Sequence, residues 1–184
     1  MHLLRHPCDS GADSARGGRA ATDRYRATTK GSRLTNRRLI LGCGNPDRGD
    51  DAAGVQAVRR LRELGVDAKE HCGEPLSLIE EWSGAGEVII IDAVITGSAP
   101  GRIVKWDARS APVSREAFRL STHGLGVGDT VELARSLGRL PDVLMIYGIE
   151  GARFRIGEPV SPEVAAAVEE VAREIANPGP DCHN

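Results

Sequence analysis

The run Leu41-Gly42-Cys43-Gly44-Asn45-Pro46-Asp47-Arg48-Gly49-Asp50-Asp51-Ala52-Ala53-Gly54 crowds three aspartates into a strand-to-helix turn. Glycine-rich turns of this kind ordinarily cradle phosphate, because a helix N-terminus offers free N–H groups and a partial positive charge. Here carboxylates already occupy that electropositive spot, and a phosphate would meet like charge. The turn reads as a place that holds a cation or handles a proton. Two other residues carry matching chemistry. Asp92 comes near the end of Glu87-Val88-Ile89-Ile90-Ile91-Asp92-Ala93-Val94, and His123 sits in Ser121-Thr122-His123-Gly124-Leu125-Gly126. Two carboxylates and an imidazole on one rim suit a divalent cation such as Zn, Ni or Fe and leave coordination positions open. Each residue alone has a plainer role: Asp50 or Asp51 as a helix cap, Asp92 as an acceptor for loop amides, His123 as an exposed loop side chain. The three positions are far apart in sequence, so only the fold can bring them together.

The elements that would do so are legible. Arg38–Asn45 is a short apolar strand ending in the glycine turn. Asp50–Leu64 has helical spacing, with Val55, Val58, Leu61 and Leu64 along one side. Ala68–Cys72 predicts a strand and Leu76–Trp82 a short helix. The β-branched run 87–94 predicts a strand buried on both faces, as in a parallel sheet. Ser98-Ala99-Pro100-Gly101 turns the chain into Arg102–Trp106, whose alternation predicts an edge strand. Val127–Leu137 is helical, Asp142–Ile149 is another buried strand, and Ser161-Pro162-Glu163 opens a last helix with a serine cap and proline in the first turn. Val164, Val168, Val171 and Ile175 line its inner face. This alternation predicts an α/β fold in three layers: a mostly parallel twisted sheet, helices on both faces, and one antiparallel edge strand. Ligands of such sheets bind beyond the carboxyl ends of the strands, where Asn45–Asp51, Asp92 and His123 fall.

Composition narrows the function. The 184 residues have a net charge of −2, unevenly spread. Residues 1–38 hold nine Lys or Arg against three Asp, a surplus of +6 that leaves −8 on the remainder. An acidic body argues against nucleic acid as a partner. Residues 1–36 are rich in Arg, Ser, Thr, Gly and Ala without apolar periodicity. They predict a disordered, dispensable basic extension, with an arm for an acidic partner as the alternative. The expected domain is 37–176, followed by a disordered tail over 177–184. Cys8, Cys43, Cys72 and Cys182 form no CxxC pair and no zinc spacing. Cys43, in an apolar strand, reads as a buried free thiol. No stretch has the length of a membrane span and no secretory h-region opens the chain, so cytoplasm is the expected location.

Familiar motifs fail. The Rossmann fingerprint needs glycine where Asp47 stands, and no Walker Lys-Ser/Thr, GxSxG elbow, HExxH pair or HxE…CxxC set is present. What the chain does resemble, over about residues 37 to 176, is the family of hydrogenase maturation proteases. The matching features are Gly42-x-Gly44-Asn45, Arg48-Gly49-Asp50-Asp51 with Gly54-Val55, Ile91-Asp92-Ala93, Pro100-Gly101, Ser121-x-His123-Gly124-Leu125-Gly126 and Tyr147-Gly148-Ile149-Glu150.

The resemblance implies an endopeptidase that removes a C-terminal extension from a nickel–iron hydrogenase large-subunit precursor once nickel is in place. It implies Asp51, Asp92 and His123 as the metal-contacting and catalytic residues, with Gly44, Asn45, Asp50 and Gly124 as the supporting turns. The nickel would arrive with the substrate, and no organic cofactor is implied. The precursor is the implied partner, with no nucleic acid and no membrane insertion, and the protein itself is expected to be a monomer. Ala52 replaces a glycine frequent in the family, and Gly73-Glu74-Pro75 stands where many members have Gly-Thr-Ala-Gly, a departure that bears on substrate preference. Two rival functions are a nucleosidase-like hydrolase of small molecules on a similar scaffold and a nickel-binding chaperone that does not cut.

Overall fold

The computed structural model describes residues 37–72, 74–114, 117–118 and 126–178. Five strands form one sheet: β1 (Arg38–Cys43), β2 (Lys69–His71), β3 (Glu87–Val94), β4 (Ile103–Asp107) and β5 (Val143–Glu150), in the order β2-β1-β3-β5-β4. The first four of these in the order are parallel to their neighbours, and β4 runs antiparallel along β5 at the edge. The β-branched run predicted to be central is central. In β3 every residue after Glu87 is buried, whereas in β4 the burial alternates as an edge demands.

Side-chain alternation along β1, β3 and β5 divides the core into two. Leu41, Val88, Ile90, Leu144 and Ile146 pack with Leu78 and Trp82 of α2 (Leu78–Glu81) and its flank, and with Val127 and Val131 of α3 (Val127–Ser136). Ile40, Ile89, Ile91 and Ile149 pack on the opposite face against Val58 and Leu61 of α1 (Ala53–Glu63) and Val164, Val168, Val171 and Ile175 of α4 (Pro162–Ala176). Helices therefore cover both faces of a mostly parallel sheet, as the alternation of elements requires.

Some local expectations need correcting. The helix expected from Asp50 begins as a 3-10 turn, Gly49–Ala52, and becomes α-helical only at Ala53. Leu64 is 38% exposed. It lies just past the last turn of α1, where Gly65 takes φ 80° and reverses the chain away from the apolar face. Ser161 holds the N-cap position of α4, but its hydroxyl makes no capping bond. The basic extension at 1–36 and the end of the chain from 179 lie outside the described residues. Among the described residues, no helix is long and apolar enough to cross a membrane.

Candidate active site

The carboxyl ends of β1 and β3 lie side by side, with Gly42 opposite Ile91 in the ladder. Beyond that pairing Cys43 leads into the glycine turn and Asp92 follows on β3. Two glycines set how tightly the turn closes. Gly44 has φ 118°, a conformation other residues rarely adopt, and a Cβ there would sit 1.9 Å from the Asp51 carbonyl oxygen. Gly54, in the first turn of α1, lies so close to the sheet that a Cβ would come within 2.2 Å of the Ile91 carbonyl oxygen. These contacts press the turn and the start of α1 onto the rim that Asp92 occupies.

The two adjacent aspartates of the turn have different environments. Asp50 is fully buried, and its carboxylate accepts three backbone N–H bonds: from Ala152 and Arg153 on Oδ2, each 2.8 Å, and from Ser161 on Oδ1, 2.7 Å. Burial pushes its pKa up, but the N–H donors outweigh burial and hold the carboxyl below the usual aspartate value. Asp50 therefore caps no helix; it fastens the turn to the segment following β5. The same segment is tied by the Asp50 N–H to the Arg153 carbonyl (2.7 Å), by Arg48 Nε to the Phe154 carbonyl (3.0 Å), and by the Gly157 N–H to the Asp47 carbonyl (2.8 Å).

Asp51 is 7% exposed and lacks such compensation. Burial raises its pKa against the opposing pull of Arg48, whose guanidinium stands 3.8 Å from Oδ2, and of the Asn45 backbone. Asn45 itself closes the turn by accepting the Asp47 N–H on Oδ1 at 2.9 Å. Asp92 is 6% exposed, and burial pushes its carboxyl well above the usual value. The negative charge of Asp51 raises it further, and the single N–H bond from Ala93 to Oδ1, 2.9 Å, opposes the rise only in part. The strand-end reading of Asp92 as an acceptor for a local amide is thus true of one oxygen. Two poorly compensated carboxyls share one rim, with the charge of Asp51 acting on Asp92, which is the arrangement of a proton-handling or cation-holding pair.

His123 and Gly124 lie outside the described residues. Carboxylate oxygens suit a divalent cation, and Asp51 with Asp92 supplies two such side chains. Among the described residues, no group of three or more His, Cys, Asp or Glu side chains is arranged to hold a metal ion.

Other polar residues at this end of the sheet were not singled out as functional by their local sequence. His71 ends β2 opposite Cys43 and is 8% exposed. Its Nδ1 is 2.5 Å from Glu81 Oε2, and its Nε2 is 3.3 Å from the Glu74 carbonyl. The ring ties the strand end to α2, and Glu81 also pairs with Lys69. Glu150, at the end of β5 and 2% exposed, accepts the N–H groups of Thr96 and Gly97 and the Thr96 hydroxyl at 2.7–2.9 Å. It holds the loop leaving β3 just beyond Asp92. Neither partnership has a sequence signal, because each joins residues on separate elements. Cys43 is a buried free thiol, as expected, and burial, with the charge of Asp92, raises its pKa.

Known proteins match this architecture. The family model described as hydrogenase maturation protease matches residues 73–178. The hydrogenase expression/formation protein HupM of Azotobacter chroococcum is 30% identical over 140 residues, 71% of this chain and 67% of that protein. The hydrogenase 2 maturation protease of Escherichia coli is 26% identical, over 74% of this chain and 87% of its own length. Among solved structures, the [NiFe] hydrogenase maturation protease HycI from Thermococcus kodakarensis superposes with a TM-score of 0.61 at 28% identity, covering 77% of this chain and 91% of that one. Sequence and fold agree, and the chain belongs to the hydrogenase maturation proteases, a family of peptidases.

Proposed function

We propose that this protein cuts the C-terminal extension from the precursor of a nickel–iron hydrogenase large subunit after nickel insertion, using Asp51, Asp92 and His123. The observation that carries the site assignment is the pairing of Asp51 and Asp92 on one rim, each short of the N–H donors that satisfy Asp50. Family membership carries the peptidase activity. The nickel is cargo of the substrate, and when bound it supplies Lewis-acid polarisation of a carbonyl or of a water.

The protein's own residues have distinct tasks in this reading. Asp92, whose carboxyl keeps its proton more firmly than an ordinary aspartate, suits a group that carries a proton between water and the leaving amine. Asp51, beside Arg48, is the more readily ionised of the two and offers the negative charge for a cation. His123 completes the donor set with an imidazole nitrogen. Gly44, Asn45 and Asp50 fix the turn, so that Asp51 faces the rim without searching for a conformation.

The experiment is mass spectrometry of a large-subunit precursor incubated with the protein, with and without nickel. Loss of a C-terminal peptide from the nickel-loaded sample alone is expected, and loss of that cleavage in His123→Ala. Tight nickel binding with an uncut precursor would replace this function with that of a chaperone. Normal processing by His123→Ala would remove His123 from the site.

A further inference from the structure

The segment between β5 and α4 does more than fasten the glycine turn. Ala152, Arg153, Phe154, Arg155, Glu158 and Pro159 line an open groove of about 460 Å³. Arg153 and Arg155 are exposed, and among the described residues neither guanidinium makes a hydrogen bond or an ion pair. Ile156, between the second arginine and Gly157, is 81% exposed. An unpaired guanidinium couple with an apolar side chain beside it stands out on a body whose net charge is negative.

The groove is built and it adjoins the active site. Its backbone is held from behind by Asp50 and Arg48, through the bonds to Ala152, Arg153 and Phe154 already described. Asp51 follows Asp50 directly. Arg48 joins groove and rim, with its Nε 3.0 Å from the Phe154 carbonyl and its guanidinium 3.8 Å from Asp51 Oδ2, so a peptide cut at the Asp51–Asp92 rim has this groove beside the turn. The backbone bonds leave the two guanidinium groups outward, with their charge available to an incoming chain.

We infer that the groove carrying Arg153 and Arg155 is a docking subsite for a carboxylate-bearing peptide segment of the precursor, flanking the bond to be cut. The inference rests on the protease reading above. Arginine forks match carboxylates in geometry as well as charge, and Phe154 and Pro159, which line the same groove, give the segment an apolar contact. Exposed charges of this type act mainly on encounter and selectivity, and the contact weakens with salt. Glu158, in the same groove, repels a carboxylate that overshoots the arginines and so limits where the segment settles.

The test measures binding of the nickel-loaded precursor to the full chain in an Asp92→Asn background, at low and high salt. Arg153→Glu/Arg155→Glu is compared with Arg173→Glu, a reversal on the solvent side of α4. The groove reversal is expected to weaken binding at least tenfold at low salt and to flatten its salt dependence, with the Arg173 control near the parent value. Melting temperatures are measured alongside. If the reversal misfolds, the neutral pair Arg153→Gln/Arg155→Gln decides, with a smaller loss expected. Unchanged affinity and salt dependence in a folded groove variant would overturn the subsite while leaving the protease reading intact. A precursor neither bound nor cut by the unaltered protein would overturn both.

Discussion

The two sides of the glycine turn treat the same side chain in opposite ways. On one side Asp50 points into the segment after β5 and receives three backbone N–H groups. On the other, Asp92 is exposed to the charge of Asp51, and the two have far fewer donors between them. Burial acts on all three carboxyls. What differs is the supply of donors together with the neighbouring charges, and these separate a carboxylate whose acceptor capacity is committed to structure from a pair with capacity left for chemistry. Adjacent aspartates in a sequence can thus have unrelated tasks.

Removing the chemistry on the rim should give the largest effect. Asp92→Asn is expected to cut the processing rate by roughly 10²–10⁴, followed as precursor turnover, with the fold retained. Its stability should also respond to pH in a particular way. Because the folded carboxyl of Asp92 has a raised pKa, the folded state binds the proton more tightly than the unfolded chain. Stability from this group is greatest below the unfolded aspartate value and is lost as pH rises toward the folded one. The asparagine variant lacks that loss, so its melting temperature relative to the parent should climb from acid to neutral pH. A parallel pair of pH profiles would contradict the raised pKa.

Asp50 should give the reverse pattern. Asp50→Ala leaves three backbone N–H groups, that of Ser161 buried, without their acceptor and is expected to destabilise the fold by roughly 3 kcal/mol, read by chemical denaturation. The folded pKa is lowered here, so the stabilisation is present above the unfolded value and is lost as pH falls through the folded one. The deficit of the variant should therefore shrink in acid. Hydrogen exchange at Ala152, Arg153 and Ser161 should speed up together. Unchanged exchange at those amides would break the contrast between the two sides of the turn.

The smallest effect is expected from deleting residues 1–36. That stretch has no apolar periodicity with which to form a core face, so the melting temperature of the truncated protein should stay close to that of the full chain. A large fall would give the basic extension a structural task.

Much of the architecture was open to reading because its signals are local. The run 87–94 announces a buried strand through consecutive β-branched residues, and Val164, Val168, Val171 and Ile175 mark one face of α4 at helical spacing. Asp51 and Asp92 stood out for their places at strand ends, and the fold brings them to one rim. The work of Asp50 was not legible, since its three donors lie more than 100 positions further along. Its sequence setting suggested a helix cap, a local task that the 3-10 turn does not require of it. The clasp of Glu150 on Thr96 and Gly97, and that of His71 on Glu81, were hidden for the same reason. Pairings between elements become visible only when the sheet order is known.

The long reach of Asp50 also sets a timetable. During synthesis the chain emerges N-terminus first, and β1 with its glycine turn is made early. The amides of Ala152, Arg153 and Ser161 that fix the turn are made late. Until residue 161 has left the ribosome, the rim aspartates have no fastened turn behind them. A nascent chain therefore carries its rim aspartates long before it carries their support, and the turn is fastened only after more than 100 further residues have been made.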